Sequence, residues 1–154
     1  MQKSSRQPAG FTFVEVLVAV VIMAIVVVAI LPQFSDSADA AKTSIGSFDL
    51  HTLRLQIELY KLEHAGMTPT QQLIELASAT NLSGTVGTSG ADFPYGPYLT
   101  SIPANPITGS NTVVAAPPAG ATPTTVTPGA GWQYDTDTGK IWFNDDTYYP
   151  FSQQ

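Results

Sequence analysis

The chain has 154 residues, with 12 acidic against 6 basic side chains, a net charge of −6 and no cysteine. A chain of this length holds one domain plus accessories, and without cysteine it has no disulfide framework, thiolate zinc site or cysteine nucleophile. Lys3 and Arg6 stand before the first apolar run, and Lys42, Arg54, Lys61 and Lys140 are the remaining bases. They form no basic patch to neutralise phosphates, so no nucleic-acid partner is expected.

The first element is the run from Phe11 to Leu31, in which only Thr12 and Glu15 are polar. As a helix it is long enough to cross a hydrocarbon core of roughly 30 Å. A cleaved secretory signal would have a shorter apolar region of about 7–15 residues, followed by a small-residue cleavage site. Here the run is longer, and the small residues Ala9 and Gly10 precede it. A plain membrane anchor fits better, with Lys3 and Arg6 holding the start in the cytoplasm and the C-terminal region outside. That reading gives Glu15 no task, although an ionisable residue costs about 2.5–3.5 kcal/mol near the centre of a membrane helix.

The stretch Gly10-Phe11-Thr12-Phe13-Val14-Glu15 resembles the processing site of class III signal peptides, those of type IV pilins and type II secretion pseudopilins. The resemblance implies a membrane peptidase that cuts between Gly10 and Phe11 and methylates the new amino terminus on Phe11. Glu15 is then the fifth residue of the cut chain, where the family carries its glutamate. Pro32 falls where many members have a helix-bending proline. A helix cut at this point begins with an ammonium and unpaired N–H groups, all positive. Glu15 lies four residues on, so its carboxylate can approach its own amine or that of a neighbouring copy. Such a pair sets axial register between otherwise featureless apolar surfaces, because an unpaired buried charge is strongly unfavourable. A helix apolar all round suits lipid first and copies of itself afterwards.

Pro32 should bend or break the helix by removing an N–H. Beyond it, Ala38, Ala41, Ile45, Phe48, Thr52, Leu55, Leu59 and Leu62 form a row with 3-4 spacing. A second row, Leu50, Leu53, Ile57 and Tyr60, lies beside it, and the widened apolar face suggests packing on a sheet. Gly46 weakens this half by about 1 kcal/mol relative to alanine. Gly66 and Pro69 mark the stop, giving one long bent helix from Phe11 to about Ala65. A short helix is expected over Thr70 to Ala77, a loop over 81–112, and a flexible, uncharged surface excursion over Val113 to Gly131. Trp132-Gln133-Tyr134 and Lys140 to Phe143 read as strands joined by a turn at Asp135 to Gly139, with Tyr148, Tyr149 and Phe151 as a closing edge. Tyr60 to Gly66, Thr68-Pro69-Thr70, Gly96-Pro97-Tyr98-Leu99, Ile102-Pro103 and Asn105-Pro106 are similar, in that order, to blocks of major pseudopilins.

No G-x-S-x-G, P-loop or H-E-x-x-H motif is present, and no catalytic residue is assigned. His51 and His64 read as solvated helix residues, with His64 favourable near a helix C-terminus. Asp135-Thr136-Asp137-Thr138-Gly139 begins like a calcium loop, but its glycine comes one place early for an EF-hand, and a hairpin turn explains the same residues. The resemblance implies a C-terminal loop that often binds calcium; the family's ligands do not align onto this chain residue by residue, and the calcium-loop-like start makes Asp135 and Asp137 the candidates.

The expected architecture is α+β and pilin-like, a long bent N-terminal helix packed on a small antiparallel C-terminal sheet. Its parts are a cleaved leader (1–10), a transmembrane and filament-core half of the helix (11–31), an exposed half (32–65) and a globular region (66–154) with a loop near 110–131. The resemblance implies a structural subunit of a type II secretion pseudopilus. It would be anchored in the inner membrane and then enter a periplasmic helical homo-oligomer. The implied partners are prepilin peptidase, an inner-membrane assembly platform, minor pseudopilins and membrane lipid, with no required cofactor. A type IV pilus subunit serving adhesion, motility or DNA uptake is the alternative within the family. A membrane-anchored extracytoplasmic binding or enzyme domain is the alternative outside it.

Overall fold

A computed structural model of the chain describes residues 10–117, 123 and 125–146, without the side chains of residue 29 and residues 31–36. The leader before Gly10, the side chain of Pro32, the middle of the 113–131 excursion and the aromatic edge Tyr148, Tyr149 and Phe151 lie outside the described residues. The chain divides into two units, Met1–Ala40 and Ala41–Gln154. The first contains the apolar part of helix α1 (Phe13–Glu63), whose helical assignment continues through Pro32 rather than ending there.

In the second unit, α1 buries Leu50, Leu53, Ile57 and Tyr60. This 3-4 spaced stripe packs with Leu73, Leu76, Val113, Trp132, Tyr134, Ile141 and Phe143 in one core. The longer row, expected beside it, lies instead almost on the opposite side of the helix and does not pack: Ile45, Phe48, Leu55, Leu59 and Leu62 are exposed. Only one stripe of a helix can face a small sheet, and here the row containing Tyr60 takes that place. Gly46 explains itself in the same packing. A Cβ there would lie 2.9 Å from Phe143 Cε1 and 3.3 Å from Pro106 Cγ, so the glycine admits the Phe143 ring against the helix.

The helix ends in a Schellman turn. Ala65 has φ 54° and Gly66 φ 87°, and the Gly66 N–H donates to the Lys61 carbonyl at 2.7 Å. His64, expected in solvent, is instead fully buried. Its ring stacks on Tyr60 at 3.8 Å, and its Nδ1 donates to the Tyr60 carbonyl at 2.9 Å while Nε2 meets Thr80 Oγ1 at 2.9 Å. Hydrogen bonds at both nitrogens are what make its burial tolerable.

The expected helix over Thr70 to Ala77 shrinks to a 3-10 turn (Ile74–Ala77), because Leu73 is left-handed at φ 55° while its side chain is fully buried. Tertiary burial overrides local propensity there. Strand β1 (Ala79–Thr80) pairs antiparallel with β2 (Val86–Gly87), which lies inside the stretch read as loop. The Asn81 side chain closes this hairpin by accepting from the N–H groups of Ser83 and Thr85. The main sheet has the order β3 (Val113–Ala115), β4 (Trp132–Tyr134), β5 (Ile141–Phe143). Strands β4 and β5 form the expected antiparallel pair, with Trp132 opposite Phe143. Strand β3 adds in parallel to β4, so the sheet is mixed and the excursion begins as a strand.

Candidate assembly site

The start of α1 is organised by Thr12 and Glu15. The Thr12 N–H and hydroxyl both donate to Glu15 Oε2, at 3.2 and 3.3 Å, and the Glu15 N–H donates to Thr12 Oγ1 at 3.3 Å. This is a reciprocal capping box, satisfying donors that the first helical turn leaves unpaired. The acid also sits at the positive end of the helix dipole. Glu15 therefore has a local task that sequence reasoning missed, although Thr12-Phe13-Val14-Glu15 carries the box's T-x-x-E signature. The box holds the carboxylate at the peptide N–H immediately after Phe11.

Gly10 and Phe11 are both exposed, Phe11 at 84%. A Cβ on Gly10 would meet nothing within 4 Å. Packing gives no reason for glycine at this position, in contrast to Gly46.

Along the described part of the apolar run, every large side chain from Phe13 to Val28 is exposed, between 47% for Val26 and 80% for Phe13. Among the described residues, no helix is long and apolar enough to cross a membrane. In the second unit, Phe48 at 70% and Leu62 at 81% are the most exposed members of the uncovered row. At 100° per residue, that row lies almost opposite the buried one. Among the described residues, two separate apolar surfaces of α1 thus have no covering partner in their own units.

The candidate calcium ligands occupy the β4–β5 turn. Asp135 is buried, its Oδ1 accepts from the Asp137 N–H at 2.9 Å, and its Oδ2 accepts from the Thr138 hydroxyl at 2.6 Å. Burial opposes ionisation, but the Thr138 hydroxyl, the N–H groups of Asp137 and Thr138, and the Lys140 charge together hold the Asp135 carboxyl below its ordinary value. Asp137 is exposed. The structure brings these two aspartates together as a hairpin turn; among the described residues, no group of three or more His, Cys, Asp or Glu could hold a metal ion.

The start of the helix thus combines a capped first turn, an exposed Gly-Phe step and an uncovered apolar run. Residues 5–31 match the family model described as the prokaryotic N-terminal methylation motif. Among curated proteins, the chain is similar to the type II secretion system core protein G of Pseudomonas aeruginosa, 34% identical over 70 residues, which are 46% of this chain and 49% of that protein. It is also similar to the core protein G of Dickeya chrysanthemi, 24% identical over 101 residues, 66% of this chain and 64% of that one. The matched part spans from about half to just under two thirds of these relatives' lengths. No solved structure matches.

Proposed function

We propose that this chain is a structural subunit of a type II secretion pseudopilus, cut between Gly10 and Phe11 by prepilin peptidase and polymerised into a helical filament that drives protein export. The observation that carries the reading is the pair of uncovered apolar surfaces on α1, from Phe13 to Val28 and from Ile45 to Leu62. Large apolar patches mark interaction surfaces or membrane contact. In this reading lipid covers the first surface before assembly, with the C-terminal domain outside the cytoplasm. Neighbouring copies cover both surfaces afterwards. Two different surfaces on one subunit favour a heterologous contact, which propagates as a filament instead of closing as a dimer.

Gly10 supports the processing step, since nothing in the packing asks for it. Glu15, already held beside Phe11 by its capping box, would answer the ammonium that cleavage creates on the same or a neighbouring copy. Pro32 would supply a bend. The chain carries no chemistry of its own; the peptidase, an inner-membrane platform and minor pseudopilins act on it or with it. Deleting the gene in the native host tests the role. Loss of exported enzymes with surface fibres intact supports it, whereas normal export with lost fibres would assign the chain to a type IV pilus.

A further inference from the structure

The β4–β5 turn holds the calcium candidates Asp135 and Asp137, and its donor set does not fit the ion. Calcium takes six to eight oxygens at about 2.3–2.6 Å. The oxygens of Asp135 and the Thr136 carbonyl already have protons aimed at them, and the exposed Asp137 carboxylate adds at most two more oxygens, short of what the ion needs. Both Asp135 carboxylate oxygens are taken by Asp137 and Thr138. The Asp135 carbonyl accepts from the Gly139 N–H at 2.8 Å, and the Lys140 carbonyl from the Asp135 N–H at 2.9 Å. The Thr136 carbonyl accepts from the Thr68 hydroxyl, which reaches across from the segment after α1. The Tyr134 carbonyl accepts from the Ala116 N–H at 2.9 Å and from Gln71 Nε2 at 3.5 Å.

The positive charge beside Asp135 comes from Lys140. A cation would have to displace several of these donors and then face the ammonium. Gly139, left-handed at φ 76°, closes the turn against Ile57, Lys61 and Thr68, where a Cβ would lie 3.3 Å from Thr68 Cγ2. The turn is thereby tied to the end of the helix by packing and by the Thr68 hydrogen bond.

We infer that hydrogen bonds from Thr68, Thr138 and the backbone replace a bound cation in the C-terminal turn, so that this turn folds without calcium. The inference goes beyond the filament reading and stands whether or not that reading holds. The test uses full-length protein in detergent, melted with a chelator and with calcium chloride up to about 1 mM, the range of weak extracytoplasmic sites. The melting midpoint should be the same in both, and calorimetric titration should show no binding heat. Thr68→Val should lower the midpoint by about 5 °C, as expected for one lost hydrogen bond, and Thr68→Ser should retain it. A saturable rise of the midpoint with calcium that Asp135→Asn abolishes would overturn the inference. So would a Thr68→Val protein as stable as its parent. Failure of the filament reading would show instead in export and fibres, with these melts unchanged.

Discussion

Phe48→Ser separates folding from assembly most sharply. Phe48 is 70% exposed, on the side of α1 away from the core stripe of Leu50, Leu53, Ile57 and Tyr60. Complete burial of such a side chain contributes about 1.5–3 kcal/mol, so covering its exposed part on assembly is worth roughly 2 kcal/mol. Removing that term raises the free-subunit concentration needed for assembly by about 30-fold. The isolated subunit should change stability by no more than about 0.5 kcal/mol, as at other surface positions. The assay compares sedimentable filaments with detergent-extractable subunit at matched expression, together with thermal melts of the extracted protein. Filaments at the parental level would refute the assignment of this row to copy-to-copy contact. A melt lowered by several degrees would show instead that Phe48 belongs to the core.

Three further outcomes are expected. Glu15→Ala should still insert and be cut, but lose about 1 kcal/mol of helix-start stability and assemble poorly, which N-terminal sequencing and filament yield together check. Ala65→Gly should stabilise the second unit by about 0.5–1 kcal/mol by relieving a left-handed alanine, seen as a higher melting midpoint. The Asp135 pKa is lowered on folding, so its contribution is fully present above the ordinary carboxylate value of about 3.9 and is lost as pH falls through the lower folded value. Acid denaturation in that window should be shallower for Asp135→Asn than for the parent.

Regular periodicity and punctuation made the larger elements legible. The apolar run, the 3-4 rows and Gly66 anticipate α1 and its end, and the aromatic clusters around Asp135 to Gly139 anticipate β4 and β5. The sequence does not say which of the two apolar rows wins the core, because that depends on Gly46 admitting Phe143. Nor does it show that β3 pairs across a long excursion. That stretch is secured largely by the buried Asn144 side chain, which bonds the Thr127 N–H and the carbonyls of Thr127 and Ala130, while its Oδ1 also accepts from Gln133. Nothing local to Asn144 announces those partners. The burial of His64 is equally nonlocal, since Thr80 supplies its second hydrogen bond. At the candidate site, Gly10, Phe11 and Glu15 read as a motif, whereas the part of Thr12 is carried only by its T-x-x-E spacing to Glu15.

The most direct test of the central claim is the mass and N-terminal sequence of the protein purified from its native host. A mature chain beginning at Phe11, with a methyl group on its amine, is the expected result. A chain that retains the residues up to Gly10 within assembled, functional material would contradict the account.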